Sequence, residues 1–465
     1  MSALWDSTEA ETATLGRATK AFAATGMSID TRTLKPGDLF VALKGDARDG
    51  HDFVSAALGA KAAAALVSRR PDGPSGEGAL LTVANTQRGL EDLARASRAR
   101  SHAKIVAVTG SAGKTTTKEM LRLAFGALGK THASVASYNN HWGVPLSLAA
   151  MPRESAYGVL EIGMNHFGEI RALGALVRPH VALVTTIAPA HLEFFGSCEA
   201  IADAKSEIFE SVVPGGAGLV PADSPYAQRL QARAKQAGVN RVLSFGADAG
   251  SDARLLSANE AGEGVKVQAD ILGQRADFRL GAPGYHLAQN AVGALLAVAA
   301  AEGDVLNAAA ALSEFRALKG RGARFTVPSQ NGSVEVIDES YNANPASMAA
   351  ALDLLAASRV DGEGRRIAVL GDMLEMGPEG EAHHAALARD IDRTNVTLVF
   401  ACGPQMKALW DALPAERRGR YGATSGEIAP ALVKELRAGD VVLVKGSFGS
   451  KMSIVIDALK ARASA

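Results

Sequence analysis

The 465-residue sequence has few cysteines, no surplus of either charge and no long apolar run. Its two cysteines, Cys198 and Cys402, are far apart and do not follow the spacing of a metal site, so we expect reduced thiols. Lys plus Arg and Asp plus Glu number 49 each, which argues against nucleic-acid binding. No apolar run approaches the roughly 20 residues that cross a bilayer, and the first residues lack a signal-peptide pattern. We therefore expect a cytoplasmic protein that does not insert into a membrane.

Short apolar runs alternate with helical patterns along most of the chain. This alternation is typical of parallel sheets covered by helices, so the sequence predicts an α/β fold. The chain is too long for a single core, and about three domains are expected. We place them at residues 1–100, 101–318 and 319–465, with a surface loop at residues 71–76.

The predicted elements follow from the length and composition of these runs. The predicted strands are residues 38–43, 64–67, 105–108, 158–162, 181–186, 334–337, 367–370, 398–400 and 441–444. The predicted helices include residues 53–61 and an alanine-rich helix over residues 288–301.

The segment Ile-Val-Ala-Val-Thr-Gly-Ser-Ala-Gly-Lys-Thr-Thr-Thr, residues 105–117, combines an apolar strand, a glycine-containing turn and a helix start. In that order, the N–H groups of the turn and the helix N-terminus converge on one point, which suits nucleotide phosphates. Lys114 would reach the β- and γ-phosphates, and the Thr115 hydroxyl would bind Mg²⁺. A strict loop of this type has glycine at Val108, so this is a shortened variant. The predicted contacts are Gly110, Ser111, Ala112, Gly113, Lys114, Thr115 and Thr116.

Polar residues follow other predicted strands, where ligands of open parallel sheets collect. Glu161 ends an apolar strand, and a carboxylate there requires a partner, which is either a ligand or a nearby lysine. Asn139 and Asn140 fit a ligand site or an ordinary turn. His191 is equally compatible with a structural role, and Lys205 lies in a helical pattern that predicts a solvated side chain.

The last third of the chain has two acidic segments that follow strands. Residues 338–345 read Asp-Glu-Ser-Tyr-Asn-Ala-Asn-Pro, and residues 371–377 read Gly-Asp-Met-Leu-Glu-Met-Gly. Such clustering favours a ligand site over surface decoration. Arg321 lies in a glycine-flanked turn that precedes the two acidic segments. It would reach a phosphate if the domains closed, although the pattern is also that of an ordinary exposed arginine.

These motifs together resemble the Mur ligases of peptidoglycan synthesis, over about residues 30–451. That family uses the shortened phosphate loop, which accounts for Val108. Its Tyr-Asn-Asn turn matches residues 138–145, and its Gly-x-His element matches the segment around His286. The sequence departs from the family at Leu287, where Asn is usual, and at Phe448, where Arg is common.

The resemblance implies an ATP-dependent amide ligase. A central P-loop ATPase domain at residues 101–318 would lie between an N-terminal UDP-sugar-binding α/β domain at 1–100 and a C-terminal Rossmann-like domain at 319–465. The segments at 340–345 and 371–377, without an Asp-Asn-Pro-Arg motif, indicate the branch that joins D-alanyl-D-alanine to UDP-N-acetylmuramoyl-tripeptide. The reaction would pass through an acyl phosphate, and a monomer is expected.

The resemblance also assigns site residues. Two Mg²⁺ ions would be held by Thr115, Glu161, His191 and a carbamylated Lys205. Catalysis would depend on Lys114, Lys205, His191, Glu161 and Arg321. Further ATP contacts would be Asn140, Asn290, Arg321, Asp338, Glu339 and Tyr341. The substrates would contact Thr31, Arg32, Lys44, Asp49, His51, Asn139, Asn342, Asn344, Asp372 and Lys445.

Two alternatives share many of these features. Another amide ligase of the superfamily, which adds a single amino acid or extends a folate, would have the same phosphate loop. A protein of a different class would use ATP hydrolysis only to close a binding module. Phosphate release that requires both substrates indicates a ligase, and exchange of D-alanyl-D-alanine for single amino acids separates the ligases.

Overall fold

The computed structural model describes residues 3–70, 78–135, 137–262, 264–329 and 331–463, and the loop predicted at residues 71–76 lies outside these ranges. Sheets of five, nine and six strands follow one another along the chain, with a two-stranded sheet near the start. Helices separate most strands. The predicted α/β class is confirmed. In the described part of the chain, no helix has the length and apolar character needed to span a bilayer.

The first sheet has the order β2-β7-β6-β5-β4, and β4 to β7 run parallel. The small strands β1 and β3 pair separately. The strands are β1 (Trp5–Asp6), β2 (Arg17–Ala18), β3 (Ala23–Ala24), β4 (Gly26–Ser28), β5 (Asp38–Val41), β6 (Ala64–Val67) and β7 (Ala79–Thr82). The helices are α1 (Ser7–Thr14), α2 (Val54–Gly59) and α3 (Thr86–Arg100).

The central sheet has the order β16-β15-β14-β13-β12-β11-β8-β10-β9. Its strands are β8 (Lys104–Thr109), β9 (Thr131–Ala133), β10 (Tyr157–Glu161), β11 (Val181–Val184), β12 (Ala217–Pro221), β13 (Arg241–Gly246), β14 (Ala253–Ala261), β15 (Gly264–Ile271) and β16 (Gln274–Leu280). Its helices are α4 (Lys114–Gly126), α5 (Gly143–Ala149), α6 (Glu169–Val177), α7 (Leu192–Phe195), α8 (Cys198–Ser206), α9 (Ala227–Gln236), α10 (Tyr285–Ala300) and α11 (Val305–Ala311).

The third sheet has the order β17-β18-β22-β19-β20-β21. Its strands are β17 (Ala323–Ser329), β18 (Gly332–Glu339), β19 (Arg366–Gly371), β20 (Leu398–Cys402), β21 (Arg418–Gly422) and β22 (Val441–Lys445). Its helices are α12 (Pro345–Ala357), α13 (Gly380–Arg393), α14 (Met406–Ala412), α15 (Ser425–Glu435) and α16 (Ser453–Ala463).

One part of the central sheet corrects the expectation of parallel strands. β14, β15 and β16 pair antiparallel. In β15, the buried Val265, Val267 and Ala269 alternate with polar residues, a period of two that leaves one face in solvent. Leu272 and Gly273 form the turn to β16 with φ of 55° and 84°, the positive values that a tight hairpin requires. β17 and β18, at the edge of the third sheet, are also antiparallel.

The bounds of several elements differ from those predicted. The strand predicted at 334–337 extends over Gly332–Glu339, because the edge strand β17 pairs along its whole length. The helix predicted at 53–61 is only α2, Val54–Gly59, since a 3₁₀ turn capped by Asp49 precedes it. Helix α10 begins at Tyr285, three residues before the alanine-rich run.

The first and second segments share a hydrophobic core. The buried Trp5 donates its indole N–H to the Ala149 carbonyl at 2.9 Å, and α3 packs against α5. Buried Leu90 and Leu93 of α3 belong to the same core as Leu160 of β10. The first sheet is therefore held firmly against the central one.

Candidate active site

A cavity of about 1610 Å³ lies between the central and third sheets. It is lined by residues that follow β8, β10 and β11 on one side and β18 and β22 on the other. The strand order of the central sheet reverses at β8, with β10 and β11 as its neighbours, and such a point leaves a crevice at the carboxyl ends of the strands. The volume exceeds the roughly 300–1,000 Å³ of a site for one small ligand, so more than one substrate fits.

The turn between β8 and α4 has the form of an anion site. Gly110 and Gly113 have φ of 148° and 78°, which favour glycine. A Cβ on Gly110 would lie 1.9 Å from Thr185 Oγ1, and one on Gly113 would lie 3.0 Å from Asn290 Nδ2. The turn therefore lies close to its neighbours, and the positive end of the α4 dipole faces the cavity that Gly113 lines.

Lys114 opens α4 and turns back over the loop. Its Nζ donates to the Gly110 carbonyl at 2.6 Å. Burial lowers the pKa of Lys114, the Glu161 carboxylate opposes that shift, and the Arg321 cation adds to it. A bound phosphate would favour the protonated amine, because it supplies the negative charge that the loop lacks.

Glu161, at the end of β10, is the centre of a polar cluster. It accepts from Thr115 Oγ1 at 2.8 Å and from Asn139 Nδ2 at 2.7 Å. Thr115 Oγ1 also lies 3.2 Å from Ser137 Oγ, which accepts from Arg321 Nη2 at 3.0 Å. A chain of hydrogen bonds thus connects the third segment to the phosphate loop.

The donor set at this cluster fits Mg²⁺. The Thr115 hydroxyl and the Glu161 carboxylate supply hard oxygen atoms only 2.8 Å apart, and Glu161 is buried. The described residues contain no group of three or more His, Cys, Asp or Glu side chains placed to bind a metal. An ion here would therefore depend on water and nucleotide oxygens as well, as is usual for Mg²⁺ with phosphates.

Lys205, on α8, is 1% exposed. Among the residues with described positions, it has no hydrogen-bond or ion-pair partner. Burial lowers its pKa well below the ordinary range, and the nearby Lys114 cation lowers it further. A buried amine is costly in the charged form, so this environment favours the neutral amine of Lys205.

His191 lines the cavity from the segment after β11. Its Nδ1 lies 2.5 Å from Glu375 Oε2, a side chain of the third segment that also lines the cavity. The hydrogen bond from His191 lowers the pKa of Glu375, which favours the carboxylate form that accepts a hydrogen bond from Nδ1–H.

The third segment brings cations and amides to the same cavity. Lys445 is buried and donates to Glu339 Oε2 at 3.1 Å and to the Asn342 carbonyl at 3.0 Å. The guanidinium of Arg321 lies 3.9 Å from the ring centre of Tyr341, a cation–π contact that holds the arginine toward the phosphate loop.

Three family models match consecutive parts of this chain. They are the Mur ligase family catalytic domain over residues 23–101, the Mur ligase middle domain over 108–298 and the Mur ligase glutamate ligase domain over 323–448. The UDP-N-acetylmuramoyl-tripeptide–D-alanyl-D-alanine ligase of Escherichia coli (strain K12) is 35% identical over 438 residues, 93% of this chain and 93% of that protein.

The chain belongs to the Mur ligase family.

Solved Mur ligase structures share the whole architecture. MurF from Acinetobacter baumannii has a TM-score of 0.84 and 30% identity, with 98% of this chain and 99% of that chain covered. MurF ligase from Thermotoga maritima, solved in complex with ADP, has a TM-score of 0.76 and 24% identity, with 94% and 98% covered. At 24% identity, the similarity to the Thermotoga maritima structure supports the fold alone.

Most predicted site residues of the second and third segments meet at the cavity of this Mur ligase. Those that line it are Ser111, Ala112, Gly113, Lys114, Thr116, Asn139, Asn140, Glu161, His191, Asn290, Arg321, Glu339, Tyr341, Asn342, Asn344 and Lys445. Gly110, Thr115 and Lys205 do not line it. Gly110 and Thr115 are hydrogen-bonded to Lys114 and Glu161, which do, whereas Lys205 is buried on α8.

The five predicted substrate residues of the first segment lie outside the cavity lining. Arg32 pairs with Asp30. His51 Nδ1 lies 2.6 Å from Asp49, and its Nε2 accepts from the Ser68 N–H at 2.9 Å. Of the remaining two, Thr31 lies between β4 and β5, and Lys44 follows β5.

Asp338 and Asp372 are not brought to the cavity either, contrary to expectation. Both are buried. Asp338 accepts from the Gly320 N–H at 3.0 Å and from the Ser340 hydroxyl at 2.6 Å. Asp372 accepts from the Met406 N–H at 2.8 Å, at the start of α14. A carboxylate at a strand end can accept hydrogen bonds from nearby protein groups as readily as from a ligand. The sequence pattern alone does not distinguish these two cases.

Two residues of the site were missed from the sequence. Ser137 connects Arg321 to Thr115, and Glu375 holds His191. Glu375 lies in the acidic segment 371–377, which was the available signal. Ser137 had none, because a serine in a polar turn is common.

Proposed function

We propose that this Mur ligase joins D-alanyl-D-alanine to UDP-N-acetylmuramoyl-tripeptide, with hydrolysis of ATP to ADP and phosphate. Relatives of that name match it over nearly their full length. The single observation that carries the proposal is the cavity itself. It faces a phosphate loop on one side and a basic, amide-rich wall from another sheet on the other, and it has room for a nucleotide and an acceptor.

The first step transfers the γ-phosphoryl group to the terminal carboxylate of the tripeptide. A carboxylate oxygen attacks phosphorus, the bond to the bridging oxygen breaks, and ADP leaves. Lys114 and the N–H groups of the loop hold the phosphates, and Arg321 reaches them from the third segment. Catalysis of such a step is mostly positioning and charge neutralisation.

When bound, Mg²⁺ would neutralise negative charge on the phosphates. We assign one ion to Thr115 and Glu161, since their oxygen atoms already lie together. We assign a second to His191 and Lys205. Histidine is an uncommon ligand for so hard a cation, so the partner should supply an anionic oxygen.

Carbamylation of Lys205 would supply that oxygen. The neutral amine attacks CO₂, a C–N bond forms, and one proton leaves, which gives a carbamate anion. Two properties favour this reaction: burial lowers the pKa of Lys205, which favours the neutral amine, and the amine has no competing partner among the described residues. The Lys114 cation nearby would stabilise the product carbamate.

The second step forms the amide. The amine of the dipeptide attacks the acyl phosphate, and phosphate leaves from the tetrahedral intermediate. We assign the contacts to the substrate near this point to Asn139, Asn342, Asn344 and Lys445. Asn140, Asn290, Glu339 and Tyr341 are assigned to ATP, with Asn290 supported by its close approach to Gly113.

The first segment would hold the other end of the substrate. Thr31, Arg32, Lys44, Asp49 and His51 remain assigned to the UDP-sugar, and their position in the first segment, outside the cavity lining, suits a substrate with its nucleotide and its carboxylate at opposite ends. This gives three proposed domains: 1–100 for the UDP-sugar peptide, 101–318 for ATP and 319–465 for the dipeptide.

Phosphate release tests the proposal. The enzyme should release phosphate only with UDP-N-acetylmuramoyl-tripeptide and D-alanyl-D-alanine together, and mass spectrometry should detect the pentapeptide product. Single amino acids in place of the dipeptide should give little product. Equal rates with a single amino acid would indicate a different ligase, and hydrolysis without any acceptor would indicate an ATP-gated binding module.

A further inference from the structure

A short segment of the central domain docks on a turn of the third domain beside the active site. The backbone N–H of Glu193 donates to the Glu375 carbonyl at 3.2 Å. Leu192 packs against the hydrophobic core of the third domain. A Cβ on Gly377 would lie 3.4 Å from the backbone of Glu193, so the two backbone segments are in close contact. The domains thus meet at the residues around His191 and Glu375.

The two residues at this contact share an unusual backbone. His191 has φ of 59° and Glu375 has φ of 61°, and side-chain-bearing residues seldom adopt such values. Residues keep such conformations where the surroundings impose them, and these places are often functional. Here the two left-handed residues bond to each other, through His191 Nδ1 and Glu375 Oε2 at 2.5 Å.

The hydrogen bond fixes which ring nitrogen is available. A carboxylate can only accept from the imidazole, so Nδ1 is the nitrogen that carries the shared proton and Nε2 is the nitrogen left to bind a ligand. None of the residues with described positions hydrogen-bonds Nε2. A carboxylate on one nitrogen of a metal-binding histidine orients the ring and makes the other nitrogen a better ligand.

We propose that Glu375 is a positioning residue that holds His191 ready for the second metal ion and so makes that site complete only when the third domain is docked. This rests on the proposed function, in which His191 binds that ion. Ion binding and domain docking would then depend on one another, because each favours the same arrangement of His191.

Metal binding measured without turnover tests this inference. Mn²⁺ prefers the same oxygen ligands as Mg²⁺, and its free concentration is measured by electron paramagnetic resonance. Wild type, Glu375→Ala and Glu375→Gln are titrated with Mn²⁺ in the presence of a non-hydrolysable ATP analogue. Glu379→Ala is the control, because Glu379 is 79% exposed in the same region and does not line the cavity.

We expect two Mn²⁺ ions in wild type and in the control. In Glu375→Ala one ion should bind about 10- to 100-fold more weakly, as is typical for loss of a residue behind a metal ligand, while the other is unchanged. Glu375→Gln should recover part of the loss, since its amide oxygen still accepts from Nδ1. The imidazole nitrogen coupling to Mn²⁺ should weaken in parallel.

Two results would overturn the inference. One is wild-type affinity for both ions in Glu375→Ala, and the other is an equal loss at both ions together with lost nucleotide binding, which indicates general damage. Product formation by wild type is measured separately. An active wild-type enzyme with unchanged Mn²⁺ binding in the variant would contradict this inference and leave the proposed function intact.

Discussion

The Thr115 hydroxyl donates to the Glu161 carboxylate at 2.8 Å, which joins the first turn of α4 to the end of β10. These residues lie 46 positions apart in the sequence. Their contact places two oxygen atoms, which we propose bind a cation, beside the phosphate loop. The chemistry of the site follows from this pairing, because a nucleotide phosphate and its metal would meet there.

Glu161→Gln should lower kcat by about 100-fold or more, because the neutral amide no longer balances the metal charge. The amide still fits the space, so the fold should be kept. Steady-state phosphate release at saturating Mg²⁺ measures the effect. Glu154→Gln is the matched control, since Glu154 is 55% exposed and precedes the other end of β10. A kcat within twofold of wild type would remove Glu161 from the site.

Gly113→Ala should weaken ATP binding. The added methyl group meets Asn290 at 3.0 Å, and the φ of 78° disfavours a side chain. Gly126→Ala, in the same helix, meets nothing within 4 Å and should leave binding unchanged while raising stability by about 0.5–1 kcal/mol. Calorimetric titration with an ATP analogue measures both. Equal affinities in the two variants would contradict the assigned role of the loop.

Lys205→Ala should lose most activity, because the carbamate oxygen is lost with the amine. Short carboxylates such as acetate should restore part of the rate by filling the vacated position. Lys235→Ala, on α9, should behave as wild type in both assays. Full turnover of Lys205→Ala without added carboxylate would exclude Lys205 from the mechanism.

Asn344→Ala should reduce stability by about 1 kcal/mol, because Asn344 caps α12. Its side chain accepts from the Ser347 N–H at 2.8 Å, and its amide donates to the Ser111 carbonyl at 3.4 Å. Asn344→Asp keeps the cap and loses the donor, so it should restore thermal stability without restoring the contact to the phosphate loop. Unchanged unfolding of Asn344→Ala would contradict the capping role.

Stability should fall as pH decreases from about 6.5 to 4. His180 accepts from the Ile105 N–H at 2.9 Å, and burial together with nearby cations lowers its pKa to about 4. The unfolded chain then binds the proton that the folded protein rejects, so stability decreases on acidification. His180→Asn keeps an acceptor and should flatten this part of a plot of unfolding midpoint against pH. An identical slope in the variant would contradict the assignment.

The features that could be predicted from the sequence are those formed by residues close together in the chain. The phosphate loop is one continuous segment, so its strand, turn and helix could be recognised directly. The α/β class followed from alternating patterns that each extend over a few residues. The antiparallel hairpin at Leu272 was missed, since its polar alternating strands lack the continuous apolar runs by which the other strands were recognised and its turn has only one glycine.

Contacts between distant residues could not be predicted in the same way. His191 and Glu375 are 184 positions apart, and nothing in either segment specifies the pairing. The burial of Lys205 depends on how α8 packs, whereas its local pattern predicted a solvated lysine. Asp372 shows the converse, because a residue in a suggestive motif is satisfied by the backbone of α14.

Transfer of oxygen from the tripeptide to phosphate reports whether the reaction passes through an acyl phosphate. UDP-N-acetylmuramoyl-tripeptide with ¹⁸O in its terminal carboxylate is incubated with ATP and D-alanyl-D-alanine, and the released phosphate is analysed by mass spectrometry. We expect one ¹⁸O atom in each phosphate formed, because the leaving group of the acyl phosphate carries a carboxylate oxygen. Amide product accompanied by unlabelled phosphate would contradict it.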